Sequence, residues 1–225
     1  MSHSGLVALL PMRGGSERVP NKNLRGLAGA PLYSYILQTL TGLDFPDVVY
    51  VDTDSDAIAS DVESRFPTVN VHRRPDTLGT GDTPMTTVIH DFLNNHNFEN
   101  VLQVHSTSPF LSVETLSLAY REFTALEDCD SIFGVTKVQA RLWTSELAPI
   151  NHDPQVLERT QDLQPVFLEN SAFYLFQSTV LRETGQRIGT APRAFSVKSL
   201  EAIDIDSEED FSFAQTVAYG LQAQK

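Results

Sequence analysis

Two short stretches hold residue types that can do chemistry on an anion. The first, "RGGSERVPNKN" at residues 13–23, sets Arg13, Gly14, Gly15, Ser16, Lys22 and Asn23 directly behind an apolar run, "LVALL". Paired glycines let a backbone turn tightly and approach a ligand, so that successive N–H groups face phosphate oxygens while Arg13 and Lys22 add full charges. The spacing is not that of a Walker loop, which needs Gly-Lys-Ser/Thr after four spacers, nor of a dinucleotide fingerprint, which needs a third glycine. Residue types alone leave a phosphate cradle and a basic surface loop both open. The second stretch, "AIDIDSEED" at 202–210, places Asp204 and Asp206 two residues apart. In an extended segment such residues share a face, and adjacent carboxylates suit a divalent cation with oxygen ligands such as Mg²⁺. The other reading is a strand end entering a helix, with Asp206 and Ser207 as caps and Glu208 to Asp210 meeting the helix dipole.

Two further stretches are weaker. "HSTSPF" closes an apolar run with His105, Ser106, Thr107 and Ser108, which can face a sugar or nucleotide at the mouth of a sheet. "RRPDTLGTGDTPMTT" offers Arg73 and Arg74 to a phosphate and a glycine-containing loop to a helix start, although an edge strand with solvated arginines accounts for it equally. His72, His90, His96 and His152 lack metal-ligand spacing and read as surface or core residues. The single cysteine, Cys129, reads as a buried small hydrophobe.

Charge sharpens the first pair. The chain has a net charge of -13, which argues against a nucleic-acid surface. Yet residues 13–25 carry four bases against one acid, and residues 201–210 carry six acids and no base. A basic loop and an acidic segment could meet around an anion and its metal counterions.

The elements that must position these groups follow from periodicity. "LVALL", "VVYV", "VLQVH" and "SIFGV" read as buried strands. Amphipathic helices are expected from Pro31, from Ser55, from Pro84 with Thr83 as cap, and from Val113 with Ser112 as cap. This alternation predicts a parallel sheet with right-handed crossovers, whose ligands bind beyond the carboxyl ends of the strands. "VFLENSAFYLF" reads as a strand pair or one long bent strand, "FSVKS" as a further strand, and "SEEDFSFAQTVAYGL" as a terminal helix capped by Ser207. Residues 137–165 break the alternation and read as an insertion that lids the site or reaches a partner subunit. A length of 225 residues fits one domain with that insertion. No apolar run is long enough to span a bilayer, and the start lacks a signal-peptide pattern, so a cytoplasmic protein without membrane contact is expected.

Taken in order, these stretches resemble the acylneuraminate cytidylyltransferase, or CMP-sialic acid synthetase, family. "ALLPMRGGSERVPNKNLRGLAGAPLYSYIL" is similar to its opening signature, Pro-Ala-Arg-Gly-Gly-Ser-Lys-Arg-Ile-Pro-Asn-Lys-Asn. "VDTDSDAIA", "RRPDTLGTGDTP", "STSPFLSVE", "ERTQDLQPVFLENSAFYLF" and "AIDIDSEEDF" resemble its later motifs, and the likeness covers nearly the whole chain.

The resemblance implies a Rossmann-like, mostly parallel sheet with helices on both faces, of the nucleotide-diphospho-sugar transferase type, plus a dimerisation insertion. It implies a Mg²⁺-dependent reaction of CTP with a 2-keto-3-deoxy sugar acid, giving CMP-sugar and pyrophosphate. By match to the family motifs, Arg13, Ser16, Lys22 and Asn23, with Gly14 and Gly15, would hold the triphosphate. Arg74 and Thr86 would be further nucleotide contacts, and Asp204 and Asp206 would hold Mg²⁺. His105, Thr107, Ser108, Arg159, Gln161 and Asn170 would face the sugar. The family's insertion builds a homodimer, so Arg159 would act on the neighbouring subunit. Four positions depart from the pattern: Glu17 for Lys, His105 for Gln, Thr160 for a basic residue and Ser171 for Gly. Three of these belong to the sugar end, which leaves a pseudaminic, legionaminic or other ulosonic acid, another nucleotide, or a non-catalytic nucleotide-sugar-binding module as alternatives.

Overall fold

A computed structural model describes residues 5–223. Strand β1 (Leu6–Pro11) is buried at every position, as a strand covered on both faces must be. It pairs in parallel with β4 (Val48–Thr53), and β4 pairs with the edge strand β5 (Asn70–Arg73). Between β1 and β4 lie a short hairpin, β2 (Gly26–Leu27) and β3 (Ala30–Pro31), and helix α1 (Leu32–Thr41). Helices α2 (Asp56–Arg65) and α3 (Met85–Asn95) precede and follow β5. Strand β6 (Asn100–Val104) pairs with β1 on its other side, and α4 (Val113–Ala125) leads to β7 (Ser131–Val138). The chain then runs through β8 (Val166–Gln177), α5 (Ser178–Thr184), β9 (Pro192–Ser196) and α6 (Glu208–Gln222).

The seven-stranded sheet has the order β5-β4-β1-β6-β8-β7-β9. Only β8 departs from the expected parallel arrangement, running antiparallel to both β6 and β7. Helices cover both faces, because alternate residues of β1 point opposite ways. Leu6, Ala8 and Leu10 pack under α1, α2 and α4, while Val7 and Leu9 pack against Ile89 and Phe92 of α3 and Leu181 of α5. A third cluster sets Phe211, Ala214 and Ala218 of α6 against Val19, Leu27 and Ile205, fastening the last helix to the loop after β1.

Helix starts show where local chemistry suffices. Ser55 accepts a hydrogen bond from Ile58 N at 3.3 Å and Ser112 from Thr115 N at 3.2 Å, while Ser207 and Asp210 form a reciprocal capping box. Thr83 does not cap α3 as expected: Pro84 takes that place, and the Thr83 hydroxyl is 2.8 Å from that of Thr80.

The stretch from Val166 is one bent strand. Glu169 pairs with Val135 whereas Tyr174 pairs with Phe133, so β8 holds three more residues than β7 across the shift. Ser171 lies in this bend at φ 56°, which L-residues adopt at a cost and glycine adopts freely. That backbone requirement is a physical reason for glycine to be usual there. Residues 139–165 contain little regular structure, a three-residue helical turn at Thr160–Asp162 and a bridge from Trp143 to Pro149.

Candidate active site

The loop after β1 is built by close approach and cross-links. Met12 N donates to the Asp52 carbonyl at 2.8 Å, and Gly14 N donates to Asp54 Oδ1 at 3.0 Å. A Cβ at Gly14 would sit 2.9 Å from the Ser55 Cβ, so this residue is glycine because two loops touch there. Gly15 faces open space. The Gly14 N–H is thus spent on Asp54, and neither glycine is among the residues that line the cleft. Asn23 is the internal strut. Its Nδ2 donates to the Arg13 carbonyl at 3.1 Å, and its Oδ1 accepts from Ser106 Oγ at 2.6 Å, which joins the loop to the end of β6.

Beyond the carboxyl ends of β1, β4 and β6 this leaves a cleft lined by Arg13, Ser16, Lys22, Arg74, His105 and Thr107, together with Thr80, Gly81, Thr83 and Met85. A Cβ at Gly81 would lie 2.8 Å from Arg13 Nη1, so the glycine-containing loop before α3 rests directly on that guanidinium.

The acidic segment lies behind Lys22 and Thr107; Asp204 and Asp206 do not themselves line the cleft. Residues 202–206 form no strand; Ile205 is buried, and its N–H donates to the Thr107 carbonyl at 2.9 Å. Asp204 and Asp206 therefore flank a buried anchor. Lys22 Nζ donates to the Ile205 carbonyl at 2.7 Å and stands 3.6 Å from Asp206, which also meets Arg18 at 3.0 Å. Burial lowers the Lys22 pKa, and the two aspartates partly restore it. Burial raises the Asp204 pKa, and the charge of Asp206 adds to this, against a hydrogen bond from Thr107. Asp204 Oδ1 is enclosed and has no partner. An orphaned, enclosed oxygen beside a second carboxylate is a donor set that a hard divalent cation satisfies. No group of three or more His, Cys, Asp or Glu suited to a metal occurs among the described residues. The pair thus fits an ion whose remaining ligands are substrate oxygens and water.

Several expected residues lie elsewhere. Thr86 sits one helical step off the cleft, beside Thr87, His90 and Leu181, because Met85 and Val88 take the inward phase of α3. Ser108 is buried and does not line the cleft, whereas Ser106, in the turn that follows β6, does. Asn170 braces the β8 bend, donating to Thr136 Oγ1 at 3.1 Å and accepting from Ala172 N at 3.2 Å. Arg159 is exposed and paired with Asp162 at 2.7 Å, and Gln161 is exposed, so neither lines the cleft of its own chain. His105 stays on the wall. Burial, assisted by the charges of Arg187 and Lys22, pushes its pKa down to about 4, so the ring is neutral, and Nε2 is enclosed without a partner.

Arg74 reaches the cleft from an unexpected support. It is ion-paired to Asp52 at 2.6 Å, with both side chains buried. Asp52 lay hidden in the apolar run "VVYV" and the residues after it. The available signal was a carboxylate on a buried strand, which needs a counterion; Arg74, just past the end of β5 and two residues beyond the Asp52 partner His72, supplies it.

Comparison with known proteins agrees with this arrangement. The sequence profile described as "Cytidylyltransferase" matches residues 7–222. The chain is 28% identical over 218 residues to N-acylneuraminate cytidylyltransferase A of Danio rerio, covering 93% of this chain and 50% of that protein. It is 23% identical over 220 residues to the pseudaminic acid cytidylyltransferase of Campylobacter jejuni, covering 93% of this chain and 94% of that one. The chain thus spans about half the length of the zebrafish protein and nearly all of the bacterial one. Its fold matches the structure of a CMP:2-keto-3-deoxy-manno-octonic acid synthetase complexed with CTP, at TM-score 0.71 and 12% identity over 96% of this chain and 99% of that one. A basic loop facing an aspartate pair, on a sheet of this order, is joined by a profile match from the first strand to the last helix: the chain belongs to the cytidylyltransferase family.

Proposed function

We propose that this chain transfers a cytidylyl group from CTP to an acidic 2-keto-3-deoxy sugar of the sialic acid type. One observation carries the reading. Lys22 lines the cleft and stands 3.6 Å from Asp206, so a polyphosphate entering the cleft meets a cation whose far side touches the candidate metal site. In the reaction the anomeric hydroxyl oxygen attacks the α-phosphorus, the bond to the β-phosphate oxygen breaks, and pyrophosphate leaves with those electrons. The hydroxyl proton passes to solvent or a nearby base. Arg13, Ser16 and Lys22 orient and neutralise the phosphates, which is most of what such a transfer asks of a protein. Mg²⁺, held by Asp204 and Asp206, supplies Lewis-acid charge neutralisation when bound.

The insertion supports a homodimer. Leu157 is 91% exposed and Leu147 76%, with Trp143, Ile150, Val156, Phe167 and Leu168 also exposed. An apolar face of this kind suits a second copy of the chain, and would carry Arg159 and Gln161 toward the partner's sugar site. No helix among the described residues is long and apolar enough to cross a membrane, and use of CTP accords with a cytoplasmic setting. The neutral, enclosed ring of His105 favours a sugar acid whose nearest group is a hydroxyl or amide rather than a carboxylate.

The test is a pyrophosphate-release screen crossing the four ribonucleoside triphosphates with neuraminic, pseudaminic, legionaminic and octulosonic acids. Release should require CTP, Mg²⁺ and one sugar acid together. CTP binding without release from any acid would instead favour a binding module.

A further inference from the structure

Resting on the proposed nucleotide site, we infer that Asp52 is a positioning residue that holds Arg74 and the start of the phosphate loop in one brace. Asp52 is fully buried at the carboxyl end of β4, in register with Pro11 of β1 and His72 of β5. Its carboxylate Oδ1 lies 2.6 Å from Arg74 Nε. Its carbonyl accepts from Arg74 Nη2 and from Met12 N, each at 2.8 Å. One residue therefore fixes both the strand end that launches Arg13 and the guanidinium on the cleft wall. Arg74 N also donates to the Thr53 carbonyl at 3.2 Å, and Pro75 keeps Arg74 extended. Nη2 is hydrogen-bonded, whereas Nε meets the carboxylate by charge alone, Nε and both Asp52 carboxylate oxygens being enclosed without a hydrogen bond, and the Arg74 side chain lines the cleft. Arg73 behaves oppositely: it is exposed and pairs outward with Asp56.

A buried ion pair is a poor way to stabilise a fold, since its desolvation penalty rivals its attraction. A pair placed at a ligand wall, with one partner also carrying the adjacent loop by its carbonyl, has a geometric use instead. Burial pushes the Asp52 carboxyl up to about 6, with Arg74 and His72 opposing that rise and Asp91 adding to it, so its charge depends on Arg74 remaining in place.

The experiment is CTP titration calorimetry and steady-state kinetics on the full chain and on Asp52→Asn, Arg74→Met and the double variant. Asp52→Asn should weaken CTP binding at least tenfold and raise its KM, with the sugar KM within about twofold. The double variant should bind CTP as Arg74→Met does, because Asp52 acts through Arg74. CTP affinity of Asp52→Asn within twofold of wild type, or a double variant weakened by the product of the single losses, would overturn the brace alone. No CTP binding by the wild-type chain would remove the proposed function and the brace with it. If Asp52→Asn fails to fold, Arg74→Lys replaces it: an ammonium cannot reach carboxylate, carbonyl and cleft together, so unchanged CTP affinity would overturn the inference.

Discussion

Lys22 Nζ stands 3.6 Å from Asp206 Oδ1 while donating to the carbonyl of Ile205, which ties residues more than 180 positions apart into one wall of the cleft. The Lys22 side chain is 14% exposed, so its charge acts through little water. Lys22→Met keeps the length of the side chain and removes the charge. Pyrophosphate release should fall about 10²- to 10³-fold, as when a fixed charge is taken from a developing anion. Circular dichroism should be unchanged. Activity within threefold of wild type would remove Lys22 from the phosphate site.

Asp204 predicts a divergence of stability and function. Its pKa is raised chiefly by burial and further by Asp206, so the ionised carboxylate is held at a cost. Asp204→Asn relieves that repulsion, and the variant without divalent ions should melt at or above the wild-type temperature. Ligand binding raises the melting point of a protein that binds it. CTP with Mg²⁺ should do so for the wild type and much less for the variant. Equal shifts in both proteins would remove Asp204 from the metal site.

Much of this was legible because the governing physics is local. Apolar runs became buried strands, and Ser55, Ser112 and Ser207 capped helices where their side chains reach the third residue on. What failed depended on tertiary phase or partner. Thr86 was displaced by the rotation of α3, a matter of which face meets the sheet. Gly14 reads as a phosphate donor until Asp54, forty residues away, takes its N–H. The seven-residue α5 has no side-chain cap to announce it. Asp52 required knowing that β4 and β5 are neighbours, which no period reveals.

His105 gives a pH dependence with a definite sign. The folded ring titrates near 4 against an ordinary value of 6.5. Between those values the unfolded chain binds one proton more than the fold, so stability is full above about 6.5 and is lost as pH falls toward 4. The slope from this residue is at most about 1.4 kcal/mol per pH unit. Urea unfolding at pH 7 and pH 5 should show wild type losing more stability than His105→Gln. Equal losses would mean that the ring is not held neutral. The same substitution should change which sugar acid is used while leaving the CTP KM near wild type.

Ser171 tests the β8 bend. At φ 56° a β-branched side chain is strongly disfavoured, so Ser171→Val should cost about 2 kcal/mol or more. Ser171→Gly removes the strain but also the hydroxyl, which lies 3.2 Å from the Tyr174 hydroxyl. These effects are each about 1 kcal/mol and opposed, so the glycine variant should stay within about 1 kcal/mol of wild type. Urea midpoints at constant slope give both values, and a valine variant as stable as wild type would place the bend elsewhere.

The exposed apolar side chains of the insertion predict an assembly state. Leu157 and Leu147 are exposed on a segment with little regular structure, whose helical turn carries Gln161 and whose Arg159 does not line its own cleft. If a second copy covers this face, a charge placed there costs the association and whatever the partner contributes, but not the nucleotide site. Leu157→Asp combined with Leu147→Asp should shift light scattering from dimer to monomer. The sugar KM should rise at least tenfold while CTP affinity stays within about twofold. A wild-type monomer at working concentration would leave Arg159 without a route to any sugar. A dimer unmoved by the two aspartates would place the interface on another face.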